Sequence, residues 1–292
     1  MHQQAQANHI DCQLLNSAEA HTIEPHCHAI AAIHIPSSGI VDYAAVARRI
    51  ALRIEMQGGR IKTRHKVIGL LERPEGIIVQ TEQGSFVTPY LVNAAGLHAD
   101  RLAHKLGLAS TIKLLPFRGE YYRLSEQASE LVNGQIFPIP NPALPFTGIH
   151  LTRGLDGTVL CGPNAVLAGS REGYRKGSLK LRDALDQATS RRVRRLTRQH
   201  FATALWEKRR SWSKELFAMT VQRLVPAISE DDLNPAPSGV STYAITPEGE
   251  LLPDFVLEST PRSVHLLSLP TPGATACLSF GRSLAQTALD HV

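Results

Sequence analysis

The chain has 292 residues, 43% of them hydrophobic and 20% charged, with a formal net charge of +5. That length and apolar content suffice for a large core in two lobes, and they exclude a disordered or low-complexity chain. No apolar run reaches membrane-spanning length, and the opening lacks a signal-peptide pattern. Four cysteines (Cys12, Cys27, Cys161, Cys277) at irregular spacing give no disulfide or metal framework and point to a reducing compartment, the cytoplasm. The positive charge suits an anionic ligand or an acidic surface without choosing between them.

Met1 to Glu24 is polar, with a helix start at Asn16-Ser17-Ala18-Glu19. His21, His26, Cys27, His28 and His34 cluster in sequence. They lack fixed ligand spacing, so no metal is expected there. Ala29 to Ile35 reads as a strand, followed by a Pro36-Ser37-Ser38-Gly39 turn. Asp42 is a good N-cap for a helix over Tyr43 to Met56, whose Val46, Ile50 and Ile54 recur at helical spacing and which Gly58-Gly59 ends. Strands are expected over Ile61 to Glu72, Gly76 to Thr81 and Ser85 to Thr88, the first two joined at Pro74-Glu75.

Tyr90 to Val92 reads as a short buried strand. It runs into Asn93-Ala94-Ala95-Gly96 and then a helix to Lys105, closed by Gly107. Ala94, Ala95 and Gly96 let the backbone approach another group closely, and Gly96 tolerates a positive φ. The helix start beyond them favours an anion. The same arrangement also serves as an ordinary strand-to-helix turn.

From Ile112 an antiparallel sheet is expected: Leu114 to Leu124, Ile136 to Ile139, Thr147 to Thr152, and Thr158 to Cys161 after an Asp156-Gly157 turn. Arg118, Tyr122, His150 and Arg153 either decorate a strand surface or line one pocket for a carboxylate and a hydroxyl, since arginine binds carboxylate bidentately. Arg171 to Lys214 reads as helical and basic, with Arg191, Arg192, Arg194, Arg195 and Arg198 in one run. A solvated helix face explains it, and a peripheral membrane contact fits it better than nucleic acid, for which no recognition motif occurs. Ser213 to Leu224 continues as a helix until Pro226. Strands follow over Gly239 to Ile245, Pro253 to Leu257 and Ser263 to Ser268. Gly273-Ala274-Thr275 then opens a last helix, a second strand, small-residue turn and helix start.

Several segments together resemble one family. They are Ser38-Gly39-Ile40-Val41-Asp42-Tyr43, Val92-Asn93-Ala94-Ala95-Gly96, Pro116-Phe117-Arg118-Gly119-Glu120-Tyr121-Tyr122, Gly148-Ile149-His150-Leu151-Thr152-Arg153, Gly162-Pro163-Asn164-Ala165-Val166, Arg171-Glu172-Gly173-Tyr174 and Pro270-Thr271-Pro272-Gly273-Ala274-Thr275. In that order the chain resembles the L-2-hydroxyglutarate oxidase/dehydrogenase family of the D-amino-acid-oxidase-like flavoproteins. The resemblance implies an α/β (α+β) fold: an incomplete Rossmann-like FAD lobe plus an antiparallel substrate domain with helices. Its segments would be 1–36 (linker or substrate lobe), 37–112 (FAD lobe), 113–254 (substrate domain) and 255–292 (return to the FAD lobe).

The cofactor implied is FAD, contacted by Val67, Ala94, Ala95, Gly96, Gly273, Ala274 and Thr275. The substrate implied is a small dicarboxylate, L-2-hydroxyglutarate, oxidised to 2-oxoglutarate and faced by Arg118, Tyr122, His150 and Arg153. Electrons would pass to a quinone or to oxygen, in a cytoplasmic protein peripheral to the inner membrane. No G-x-G-x-x-G occurs, and about a hundred residues of the family's opening, with its base-bearing loop, have no counterpart. The catalytic base is therefore unassigned, and the chain as written is expected to be a truncated, inactive form. Where relatives carry Gly-Val-Arg, this chain has Gly239-Val240-Ser241. The competing readings are a non-enzymatic remnant that binds a dicarboxylate, and a basic binding module built on Arg191 to Arg210.

Overall fold

A computed structural model describes residues 1–108, 111–140, 148–270 and 273–291. The chain opens with α1 (His2–Ala7), β1 (Gln13–Asn16), α2 (Ser17–Ile23) and β2 (Ala31–His34). A capping box starts α2: Asn16 accepts from the backbone N–H of Glu19, whose carboxylate accepts from the N–H of Asn16. Next come α3 (Tyr43–Met56), β3 (Val67–Arg73), β4 (Gly76–Thr81), β5 (Gly84–Thr88) and β6 (Leu91–Asn93). The strand expected from Ile61 starts only at Val67, because Arg64 takes a positive φ of 58°. A 3₁₀ turn at Gly96–His98 leads into α4 (Ala99–Lys105).

The middle of the chain holds β7 (Lys113–Leu124), α5 (Glu126–Ser129), β8 (Gln135–Ile136), β9 (His150–Arg153), β10 (Val159–Gly162) and β11 (Val166–Leu167). Thr147, where the strand to Thr152 was expected to start, lies outside the described residues. The basic stretch is helical only from Leu181. It divides into α6 (Leu181–Thr189), α7 (Arg191–Gln199), α8 (Phe201–Trp212) and α9 (Lys214–Gln222). Ser190 breaks it with extended backbone, and Ser213 caps α9 by accepting from the N–H of Leu216. Last come β12 (Leu233–Ile245), β13 (Leu251–Leu252), β14 (Val256–Thr260), β15 (Ser263–Ser268) and α10 (Cys277–Leu289).

These elements form a mixed α/β chain of two compact units. Unit 1 comprises 1–42, 118–166 and 202–239, and unit 2 comprises 43–117, 167–201 and 240–292. Boundaries therefore fall inside β7, β11, α8 and β12. Residues 167–201 and 240–254, read from the sequence as part of one 113–254 stretch, pack with unit 2. The reason is a core in which Val193 and Leu196 of α7 bury against Leu115 and Ile245.

Unit 1 is organised by an antiparallel ladder. Ile136 faces Leu151, Leu151 faces Cys161, and Cys161 faces Tyr122. All four are buried, joined by Phe217 and Val221 of α9 in one core. In unit 2, β3, β4 and β5 form one antiparallel sheet, and β14, β15 and β6 form another in which β15 and β6 run parallel. Their register is Leu91 to Ser263, Val92 to Val264 and Asn93 to His265. β6 and β15, the strands that precede Ala94–Gly96 and Gly273–Thr275 in the chain, are thus neighbours. Among the described residues no helix is long and apolar enough to cross a membrane.

Candidate functional site

In unit 2 the parallel pair sets the geometry. Ligands of open α/β sheets sit beyond the carboxyl ends of the strands; β6 runs directly into the small residues Ala94, Ala95 and Gly96, and Gly273, Ala274 and Thr275 form a turn further along the chain from β15. After β6, Ala94, Ala95 and Gly96 are exposed. Gly96 takes φ +51°, and a Cβ placed on it would meet nothing within 4 Å. Its glycine therefore serves the left-handed backbone and leaves open space beside the turn. After β15, the N–H of Gly273 donates to Pro270 O at 2.8 Å, and Thr275 Oγ1 lies 2.7 Å from the Tyr43 hydroxyl of α3. Ser268 Oγ, at the end of β15, is buried and has no hydrogen-bond partner among the described residues. Val67, at the start of β3, is half-buried opposite Thr81.

Two buried polar systems hold the first turn. Asn93 accepts from the N–H of Ala95 (3.2 Å), and its Nδ2 donates to Ala99 O (2.8 Å) and to His265 Nδ1 (2.9 Å). His265 is 0% exposed. Burial pushes its imidazole pKa down, against the smaller upward pull of Glu258. The second system joins Arg171 to Asp100, 5% and 6% exposed. Its guanidinium takes both oxygens of Asp100 and also donates to Leu97 O at 2.6 Å. Asp183 accepts from the backbone N–H of Arg171 (2.9 Å) and from Arg101. Burial acts to raise the Asp183 carboxyl pKa, but the Arg171 N–H and the two guanidiniums hold it below the usual carboxylate range.

In unit 1 the buried positions Arg118, Glu120 and Tyr122 alternate along β7 and share a face. Glu120 Oε1 accepts from Arg118 Nε (3.1 Å) and Nη2 (2.8 Å) and from Ser211 Oγ (2.8 Å). Its Oε2 accepts from Asn164 Nδ2 at 2.8 Å, while its own N–H donates to Asn164 Oδ1 at 2.9 Å. The loop bearing Asn164 lies hard against β7: a Cβ on Gly162 would come 2.7 Å from Glu120 O, and one on Gly119 would come 2.7 Å from Pro163 Cβ. Tyr122 packs on Phe217 with ring centroids 4.6 Å apart. Burial first, then Glu120 and Glu230, push its phenol pKa up. Arg153 Nη1 donates to Ser129 O (2.7 Å) and Val132 O (2.9 Å), capping carbonyls at the end of α5. His150 stacks on Phe137 at 4.2 Å, and burial lowers its pKa.

The four residues expected to face one cavity do not share a sheet face. The ladder register puts Tyr122 and Arg153 on the core side with Leu151 and Cys161, and His150 on the other. The sequence reading also missed Glu120, Asn164 and Ser211 around Arg118, and Asn93, His265, Asp100 and Arg171 around the first turn. Only Glu120 had a local signal, two places from Arg118 on a strand. Among the described residues no group of three or more His, Cys, Asp or Glu side chains could hold a metal.

The model of the FAD-dependent oxidoreductase family matches residues 1–287. The L-2-hydroxyglutarate dehydrogenases of Salmonella houtenae and Escherichia coli are each 41% identical over 276 residues, covering 94% of this chain and 65% of theirs. The chain thus spans about two thirds of the length of these relatives. FAD-bound L-α-glycerophosphate oxidase from Mycoplasma pneumoniae matches with a TM-score of 0.76 and 21% identity, over 98% of this chain and 67% of that one. The fold is that of flavin-dependent oxidases. The chain belongs to the FAD-dependent oxidoreductase family.

The cofactor of this family is FAD, and the residues present fit it. An open turn with a left-handed glycine follows one parallel strand, and a buried hydroxyl without a partner among the described residues ends its neighbour.

Proposed function

We propose that this chain serves an FAD-dependent dehydrogenase of a 2-hydroxy acid, with L-2-hydroxyglutarate as substrate and 2-oxoglutarate as product. The observation that carries this reading is the 41% identity to L-2-hydroxyglutarate dehydrogenases over 94% of the chain. When bound, FAD supplies the two-electron acceptor for the hydride of the substrate's carbinol carbon. Ala94 to Gly96 and Gly273 to Thr275 would hold it through backbone that approaches closely, with Val67 offering backbone to the adenine side. Arg118 would hold a substrate carboxylate, its guanidinium fixed by Glu120 so that little orientational freedom is lost on binding. Tyr122 is engaged in core packing, Arg153 in capping carbonyls and Arg118 with Glu120; of these, this reading assigns the carboxylate to Arg118, whose charge already faces a carboxylate. His150, kept neutral by burial on the other face, is a separate candidate.

A quinone or oxygen would take the electrons onward. The exposed Arg191, Arg194, Arg195 and Arg198 of α7 support contact with an acidic surface, including that of a membrane.

The test is to purify, with FAD, a form that carries the family's opening portion ahead of these 292 residues, which by themselves are expected to be inactive, and to add L-2-hydroxyglutarate without oxygen. Bleaching of the flavin band with stoichiometric 2-oxoglutarate is expected, and none with the D enantiomer. Retained flavin that bleaches equally with both enantiomers, or with neither, would refute the reading.

A further inference from the structure

We propose that Asn93 is a positioning residue for the Ala94–Gly96 turn, acting through a buried relay that fixes His265 as its neutral Nε2–H form. This deepens the proposed function, because the turn matters as a cofactor contact only if that reading holds.

The orientation of the Asn93 amide follows from backbone groups of known polarity. Its Oδ1 faces the N–H of Ala95, which can only donate, and its Nδ2 faces the carbonyl of Ala99, which can only accept. The second hydrogen on Nδ2 therefore points at His265 Nδ1, 2.9 Å away, and that nitrogen must carry a lone pair. The ring hydrogen then sits on Nε2 and is donated to Ser263 Oγ at 2.8 Å. Ser263 Oγ also lies 2.7 Å from Thr260 Oγ1, a pair in which either hydroxyl can donate, and Thr260 Oγ1 accepts from the N–H of Arg262. Donation runs one way from Asn93 of β6 through His265 to Ser263 of β15.

Every hydrogen-bonding atom of the Asn93 side chain is used, and the residue is 3% exposed. One amide thus ties four things together: the end of β6, the N–H inside the turn, the first carbonyl of α4, and the adjacent strand. The turn itself is exposed, and the open space beside Gly96 gives it little packing support. Its position is set from beneath, by Asn93. Aspartate at 93 has the same shape and keeps an acceptor for Ala95. It cannot donate to Ala99 O or to His265 Nδ1, and it invites a hydrogen onto Nδ1 instead.

The experiment compares the full chain with Asn93→Asp and Asn93→Ala in three measurements. Ring ¹⁵N shifts at neutral pH report the form of His265. Hydrogen exchange reports the amides of Ala95 to Leu97. Flavin fluorescence titration reports the affinity for FAD. In the wild type an Nε2–H imidazole is expected. In Asn93→Asp the hydrogen should move to Nδ1, with Ala95–Leu97 exchange faster by about tenfold or more and FAD weakened by about tenfold, as for the loss of one or two buried hydrogen bonds. Asn93→Ala should speed exchange further. A wild-type Nδ1–H form, or unchanged exchange in both variants, would overturn the inference. Faster exchange with unchanged FAD affinity would overturn its link to the cofactor. A wild-type chain that binds no FAD would instead count against the proposed function, and the ring shifts and exchange rates would still decide the role of Asn93.

Discussion

Replacing Arg171 by methionine should be among the most damaging single changes outside the hydrophobic cores. Methionine keeps most of the apolar stem and removes the guanidinium. Asp100, 6% exposed, then keeps a buried carboxylate whose only remaining hydrogen bond among the described residues is the N–H of Arg101 at 2.7 Å, and Leu97 O loses its 2.6 Å donor. Stripping one partner from a buried pair costs about 3–5 kcal/mol, because the other charge is left uncompensated. The surviving N–H bond puts the expectation near the low end, about 3 kcal/mol, a large share of a marginal stability of about 5–15 kcal/mol. Adding Asp100→Asn removes the stranded charge. The double variant should therefore recover at least about 1 kcal/mol relative to Arg171→Met alone. Urea unfolding followed by far-ultraviolet circular dichroism, on both single variants and the double, measures this. A loss below about 1 kcal/mol for Arg171→Met, or additivity within about 0.5 kcal/mol, would refute the view that this pair anchors the start of α4.

Three further outcomes are expected. The His265 pKa is lowered by folding, so the unfolded chain binds the proton more readily. Stability is full above the unfolded histidine value of about 6.5 and falls as pH drops below it toward the lowered folded value, by at most about 1.4 kcal/mol per pH unit. Urea midpoints at pH 7.5 and 5.5 should show a smaller acid loss in His265→Gln than in the wild type. In native protein a disulfide reagent should label Cys12 and Cys277 and spare Cys161, which is fully buried with its thiol pushed up to about 12, and the buried Cys27. Four thiols titrating at one rate without denaturant would contradict this. Phe217→Ala should cost about 3–5 kcal/mol in the urea midpoint, since the ring is fully buried against Tyr122 at the centre of the unit 1 core. A loss under about 1 kcal/mol would mean that core is not packed as described.

What the sequence determined by itself is local. The bounds of α3 follow from helical spacing between Asp42 and Gly58, the start of α2 from the Asn16 and Glu19 pair, and the hairpin of β3 and β4 from a two-residue turn. Alternation along β7 already puts Arg118, Glu120 and Tyr122 on one side. The family resemblance likewise rests on short runs of residues, and these pointed to the turn at Ala94–Gly96. The tertiary structure decided the partners. Asn93 meets His265 across 172 positions, Asp100 meets Arg171 across 71, and Glu120 meets Asn164 and Ser211 across 44 and 91. Periodicity states which residues share a face of their own element. It does not state which remote element covers that face, or in what register. His150 illustrates the limit: its strand was legible, but its side of the sheet depends on pairing Leu151 with Cys161, and a slip of one residue would have reversed it. Basic residues from 171 to 214 likewise read as one helical run, because charge and propensity are local. The breaks at Ser190 and Ser213 come from packing, which buries Val193 and Leu196 in one unit and Phe217 in the other.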